Sequence, residues 1–187
     1  MRNLLLNEFL CMVRDRYPAG MLEQVISGYD ASAATPVHCD DDNTARMLRL
    51  AISVARRSAI PFEEVLRDFG RHLFERFAQL YPAHFSDAEQ ALDWLGSIEG
   101  VLDEGNSAPG SGPLLAVNAD LLDARTLTMT CTAPAEIAAV ADGLLEECAA
   151  HFGGSVEMRS VAGSDENQRT AQLSLLTPPR AALPPAA

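Results

Sequence analysis

The stretch Ile60–Glu104, IPFEEVLRDFGRHLFERFAQLYPAHFSDAEQALDWLGSIEGVLDE, decides how the chain is read. Val65, Leu66, Phe69, Leu73, Phe77 and Leu80 recur at three- and four-residue steps, which puts them on one helical face. Pro61 suits a first helical turn, because its missing N–H would have no partner there. Tyr81-Pro82 breaks the pattern. Ser86, with Glu89 three residues on, has the spacing of a capping box and opens a second helix. That helix is expected to bury Ala91, Trp94, Leu95, Ile98 and Leu102.

Outward from this pair, residues 2–16 predict a helix with Leu5, Leu6, Phe9, Leu10 and Val13 as its apolar stripe. A short helix is expected at 19–27, ending near Gly28. Tyr29–Asp42 reads as a loop. Asp42 or Asn43 can cap the next helix, which runs to Ser58 with Ala45, Leu48, Ile52 and Ala55 on one face. Beyond Glu104, GNSAPGSGP is rich in chain-breaking residues. A strand is expected at 114–119, a turn at 120–124, and a strand in RTLTMTCT, where Leu127, Met129 and Cys131 alternate. Pro134 opens a helix that Gly153-Gly154 stops, followed by strands SVEMRSV and RTAQLSLL around AGSDENQ. The expected fold is α+β: a helical half (2–104), then a mixed half (113–177) with an antiparallel sheet of about four strands and one packed helix. Residues 1–177 are read as a single domain and 178–187, rich in proline and alanine, as a disordered tail.

Composition narrows the function. A net charge of −12 over 187 residues disfavours nucleic acid and anionic membranes as partners. No stretch has the length of a transmembrane helix, and the apolar run at the start is interrupted by Asn7 and Glu8. The four cysteines lack CxxC spacing, so reduced thiols in the cytoplasm are expected. His38-Cys39 with Asp40–Asp42 carries metal-ligating side chains. However, adjacent loop residues point in different directions, and acids before a helix suit its dipole. The sequence has no GxSxG, glycine-rich phosphate loop or HExxH, so an enzyme is not expected. Glu63-Glu64 and Glu146-Glu147 read as solvated helix faces.

FGRHLFERF-x-x-LYPAHF followed by LDWLGSIEGVL resembles the central helices of the haem nitric-oxide/oxygen binding family, the H-NOX gas sensors. MRNLLLNEFLCMVRDRYPAGMLEQVI is similar to the family's opening helices, and LLEECAAHFGGSVEMRSV to its last helix and strand. The resemblance implies a haem pocket, with an axial histidine near the end of the second central helix and a Tyr-x-Ser-x-Arg clamp for the propionates. Counted without gaps, the axial position is Leu102, and leucine cannot bind iron. The clamp falls on Thr130, Thr132 and Pro134; a register using Arg125 puts Leu121 and Asp123 at the other two positions. The expected cofactor content is therefore none, although the family binds haem.

A slot without haem must be filled or closed. Phe74, Leu102, Met129 and Cys131 are its candidate lining residues. By resemblance, the chain is expected to be a haem-free sensory or regulatory domain acting on a separate signalling partner, such as a histidine kinase or cyclic-dinucleotide enzyme. The alternatives are a sensor of an apolar small molecule, or a haem-based NO/O2 sensor with His72 or Cys131 as substitute ligand.

Overall fold

The computed structural model describes residues 4–32, 43–86, 90, 91, 94, 116–121, 126–132, 137–153, 155–159 and 168–174. Four helices come first: α1 (Leu4–Arg16), α2 (Met21–Ser32), α3 (Asn43–Ser58) and α4 (Phe62–Leu80). Strands β1 (Ala116–Leu121) and β2 (Thr126–Thr132) follow, then α5 (Ala138–His151), β3 (Ser155–Arg159) and β4 (Gln168–Ser174). The strands form one antiparallel sheet in the order β1-β2-β4-β3. Its centre is the β2–β4 pairing, where Met129 lies opposite Ala171 and Cys131 opposite Arg169.

α4 is the axis of the molecule. Its periodic apolar residues are buried as the spacing requires: Val65, Leu66, Phe69, Leu73 and Phe77, joined by Gly70, His72 and Phe74. Pro61 stands just before the helix, with φ −54° and ψ 142°. The helix stops at Leu80, and Pro82–Phe85 turn the chain away. α1 packs on α4 partly through Phe9, whose ring meets Phe69 edge-on at 5.3 Å.

The expected helical half and mixed α+β half do not have separate cores. The described helices share one apolar core. That core crosses the supposed division: Ile137, Val140, Ala141, Leu144, Leu145, Cys148 and Ala149 of α5 are continuous with the core of α1–α4. Helices of 13, 12, 16, 19 and 14 residues dominate strands of 6, 7, 5 and 7.

The reason is a close approach that pattern-reading could not locate. A Cβ added at Gly70 would sit 2.0 Å from the Val140 carbonyl oxygen, and one at Gly143 would sit 1.9 Å from that of Arg67. The two backbones touch because both positions lack a side chain.

Several boundaries also shift. α2 continues through Gly28 to Ser32, where a loop was expected from Tyr29. One glycine costs a helix about 1 kcal/mol but does not end it. β1 begins at Ala116 and runs to Leu121, into the expected turn. The second central helix is described only at Gln90, Ala91 and Trp94, all helical. Its expected residues Leu95, Ile98 and Leu102 lie outside the described residues, as do the loop at His38–Asp42 and the tail at 178–187.

Gly70→Ala or Gly143→Ala should destabilise the protein by about 1–3 kcal/mol, the range for overpacking. An alanine replacing an unconstrained mid-helix glycine would instead stabilise by roughly 0.5–1 kcal/mol. Urea midpoints decide between them, and a rise in midpoint would refute the close crossing.

Candidate functional site

Three sides of α4 meet three different environments. On the first, Arg67 and Arg71 bridge to α5. Arg71 Nη2 donates to Glu146 Oε2 at 2.8 Å, and Arg67 Nη1 donates to Glu146 Oε1 at 3.2 Å. Arg71 Nη1 also donates to Asp68 at 2.8 Å and to Glu64 at 3.1 Å. Arg67 Nη2 lies 3.6 Å from Asp142. Glu64 and Glu146 are therefore members of an interhelical network rather than solvated faces. Local spacing showed the acids but not the arginines across the interface.

The second side faces α1. His72 is buried, with 4% of its surface exposed. Its Nε2 lies 3.4 Å from Glu8 Oε2, yet has no partner in hydrogen-bonding geometry. The approach is an electrostatic contact rather than a formed bond. Arg76 Nε donates to the same Glu8 oxygen at 3.1 Å. Burial pushes the imidazole pKa below its usual value, while Glu8 works in the other direction. Sequence reading singled out His72 but not Glu8 or Arg76. The signal for Arg76 was available, four residues along the same helix; Glu8 is brought in by tertiary packing.

The third side is aromatic. Phe74 is 1% exposed, with Phe85 at 5.2 Å, His151 at 5.4 Å and Phe152 at 6.4 Å between ring centroids. Beside it, Trp94 meets Phe77, Phe85 and Tyr81 at 5.2, 5.3 and 4.9 Å, and the exposed His84 ring stacks on it at 6.3 Å. Such offset and edge-on pairs satisfy the ring quadrupoles and fill volume densely.

The four lining candidates are placed unequally. Phe74 lies in the aromatic cluster, and none of its three ring partners is another candidate. Leu102 lies outside the described residues. Met129 and Cys131 stand two apart on β2, on one face of the strand, opposite Ala119 and Val117 of β1. Thr130 and Thr132 occupy the alternate positions, and Pro134 lies outside the described residues.

Haem would need an imidazole nitrogen directed into an apolar slot. Among the described histidines, His72 faces the Glu8 carboxylate, while His84 and His151 are exposed. None of these three described histidines is set to hold haem as the family does. Among the described residues no group of three or more His, Cys, Asp or Glu could hold a metal ion. The buried Cys148 thiol is pushed up to about 12 by burial and is not a thiolate at neutral pH. No described helix is long and apolar enough to cross a membrane.

The arrangement of helices, sheet and final helix matches solved structures over almost the whole chain. An H-NOX from T. tengcongensis superposes with a TM-score of 0.70 at 16% identity, covering 95% of this chain and 99% of that one. A structure described as "Probing the function of heme distortion in the H-NOX family" gives 0.71 at 18%, covering 95% and 96%. An Fe(II) unliganded H-NOX protein mutant from K. algicida gives 0.61 at 18%, covering 94% and 96%. At such identities the likeness establishes the fold. No curated protein sequence matches the chain. The fold is thus that of the H-NOX domains. A family profile described as Haem-NO-binding matches residues 3–160, and the chain belongs to that family.

Two outcomes follow from the site. Phe74→Ala should cost about 3–5 kcal/mol in chemical denaturation, as for other buried phenylalanines. For His72, the folded pKa lies below the unfolded value of 6.5. As pH falls, the unfolded chain takes up its proton first, so this contribution to stability is present above 6.5 and is lost on acidification toward the folded pKa. Denaturation midpoints across about pH 5–8 should show the loss. His72→Gln should flatten it, and an unchanged profile would contradict the assignment.

Proposed function

We propose that this chain is a sensory and regulatory domain that acts on a separate signalling protein without holding haem in the family's manner. A histidine kinase or a cyclic-dinucleotide enzyme is the partner class the family resemblance implies. The observation that carries the haem-free reading is Leu102 at the axial position, together with Thr130, Thr132 and Pro134 in place of the propionate clamp. The placement of the described histidines supports it: one is buried against a carboxylate and two are exposed. Input to the domain is then of another kind, and an apolar small molecule in contact with the Phe74 cluster is the reading that keeps a sensory role for the family's pocket.

A second reading has its own support. The chain belongs to a haem-binding family, and His72 Nε2 is buried without a hydrogen-bond partner. Under it, His72 or Cys131 replaces the missing axial ligand and the domain senses NO or O2 through haem. Haem, when bound, would supply the gas-binding iron; this chain's residues would supply only the ligand and the slot.

The absorption spectrum of the purified protein during haem titration separates the two. The expected result is no saturable Soret band. A band that saturates at one haem per chain and disappears in His72→Ala or Cys131→Ala would establish the second reading. Native mass spectrometry of freshly purified protein tests the apolar-ligand input: a retained small-molecule adduct is expected, and bare chain mass alone counts against it.

A further inference from the structure

α3 is the basic element of an acidic chain. It carries four of the 14 cationic side chains, all arginine because the chain has no lysine, and none of the 26 acids. Helical spacing puts Arg46, Arg49, Ile52, Arg56 and Arg57 on one side, and all five are exposed. Met47, Leu50, Ala51 and Val54 take the other side and are buried. Ile52 leaves 40% of its surface exposed among these arginines.

The last turn of α3 differs from the arginines of α1 and α4. Arg14, Arg16, Arg67, Arg71 and Arg76 each have a carboxylate partner. Arg56 and Arg57 have none among the described residues, and Arg57 donates only to the neutral Gln24 side chain, at 3.4 Å. Carboxylates outnumber arginines 26 to 14, so their absence here does not follow from scarcity. The helix dipole favours cations in a last turn. It does not require an exposed isoleucine beside them, nor the arginines on the same side in earlier turns.

We propose that this outer face of α3 docks an acidic patch on the separate signalling protein, with Arg56 and Arg57 meeting its carboxylates around Ile52. The proposal rests on the partner reading above and names its surface. Arginine around an apolar centre is the composition that interfaces enrich, because the guanidinium binds carboxylates in a planar fork and sheds water readily. A local protein patch fits better than an extended polyanion. Screening confines attraction to about 8 Å at physiological salt. A nucleic acid or an anionic membrane would also confront the rest of a chain whose net charge is −12.

The test is an NMR titration of the whole chain with a short poly-L-glutamate peptide as the acidic probe. A DNA oligonucleotide and phosphatidylglycerol vesicles are run in parallel. Saturable shifts on α3 with the peptide are expected, weakening about tenfold or more in R56E/R57E and in the milder R56Q/R57Q. Thermal unfolding of R56Q/R57Q should match that of the parent chain. Absence of α3 shifts, peptide affinity unchanged in R56Q/R57Q, or tighter binding of the oligonucleotide or vesicles would overturn the proposal. None of these outcomes bears on the haem titration, so the docking face can fail while the haem-free reading stands.

Discussion

The contact between the α4 and α5 backbones at Gly70 and Gly143 is the constraint on which the rest of the structure depends. Two helices normally sit 8–10 Å apart because side chains separate them. Here each glycine receives the other helix's backbone, leaving no room for a Cβ. The approach draws Val140, Leu144 and Cys148 into one core with Leu66, Leu73 and Phe77. It also fixes where the sheet lies, because α5 runs between β2 and β3 in the chain.

Polar groups then set the register of that crossing. Arg67 and Arg71 reach Glu146 from one side, while Asp142 approaches Arg67. These side chains are about a third exposed or less, and pairs near the surface contribute only about 0–1 kcal/mol each. Their role is orientation: planar guanidinium groups accept few rotations of α5 about its axis. Stability comes from the apolar layers. The contact between α1 and α4 has a different character. Phe9 and Phe69 pack tightly, yet Glu8, His72 and Arg76 put a titratable group into the same interface.

On the haem-free reading proposed above, family membership and site chemistry point in different directions, and the physical difference is small in residues but large in consequence. Leu102 stands where the resemblance puts the axial ligand, and Thr130 and Pro134 bring neither a phenol nor a guanidinium to the expected clamp. An aromatic group at Phe74 packs against Phe85, His151 and Phe152. A fold can survive such exchanges because its stability rests on the helical core rather than on the cofactor's ligands. Function follows the site, so on that reading the sensory role carries over more readily than the gas.

Much of this was written into the sequence. The periodicity of Val65, Leu66, Phe69, Leu73 and Phe77 defined α4 and its buried face. The alternation of Leu127, Met129 and Cys131 defined β2. These signals are local: each follows from the repeat of one helix or strand. What the tertiary structure alone decided is which faces meet. Gly70 and Gly143 look like ordinary helix-weakening residues until another backbone lies against them. Glu8 becomes a neighbour of His72 only across 64 residues of chain, and Glu146 leaves the solvated surface only because two arginines face it. Such pairings depend on where whole helices pack, and the free energy that places them is shared by the entire core rather than by any one segment.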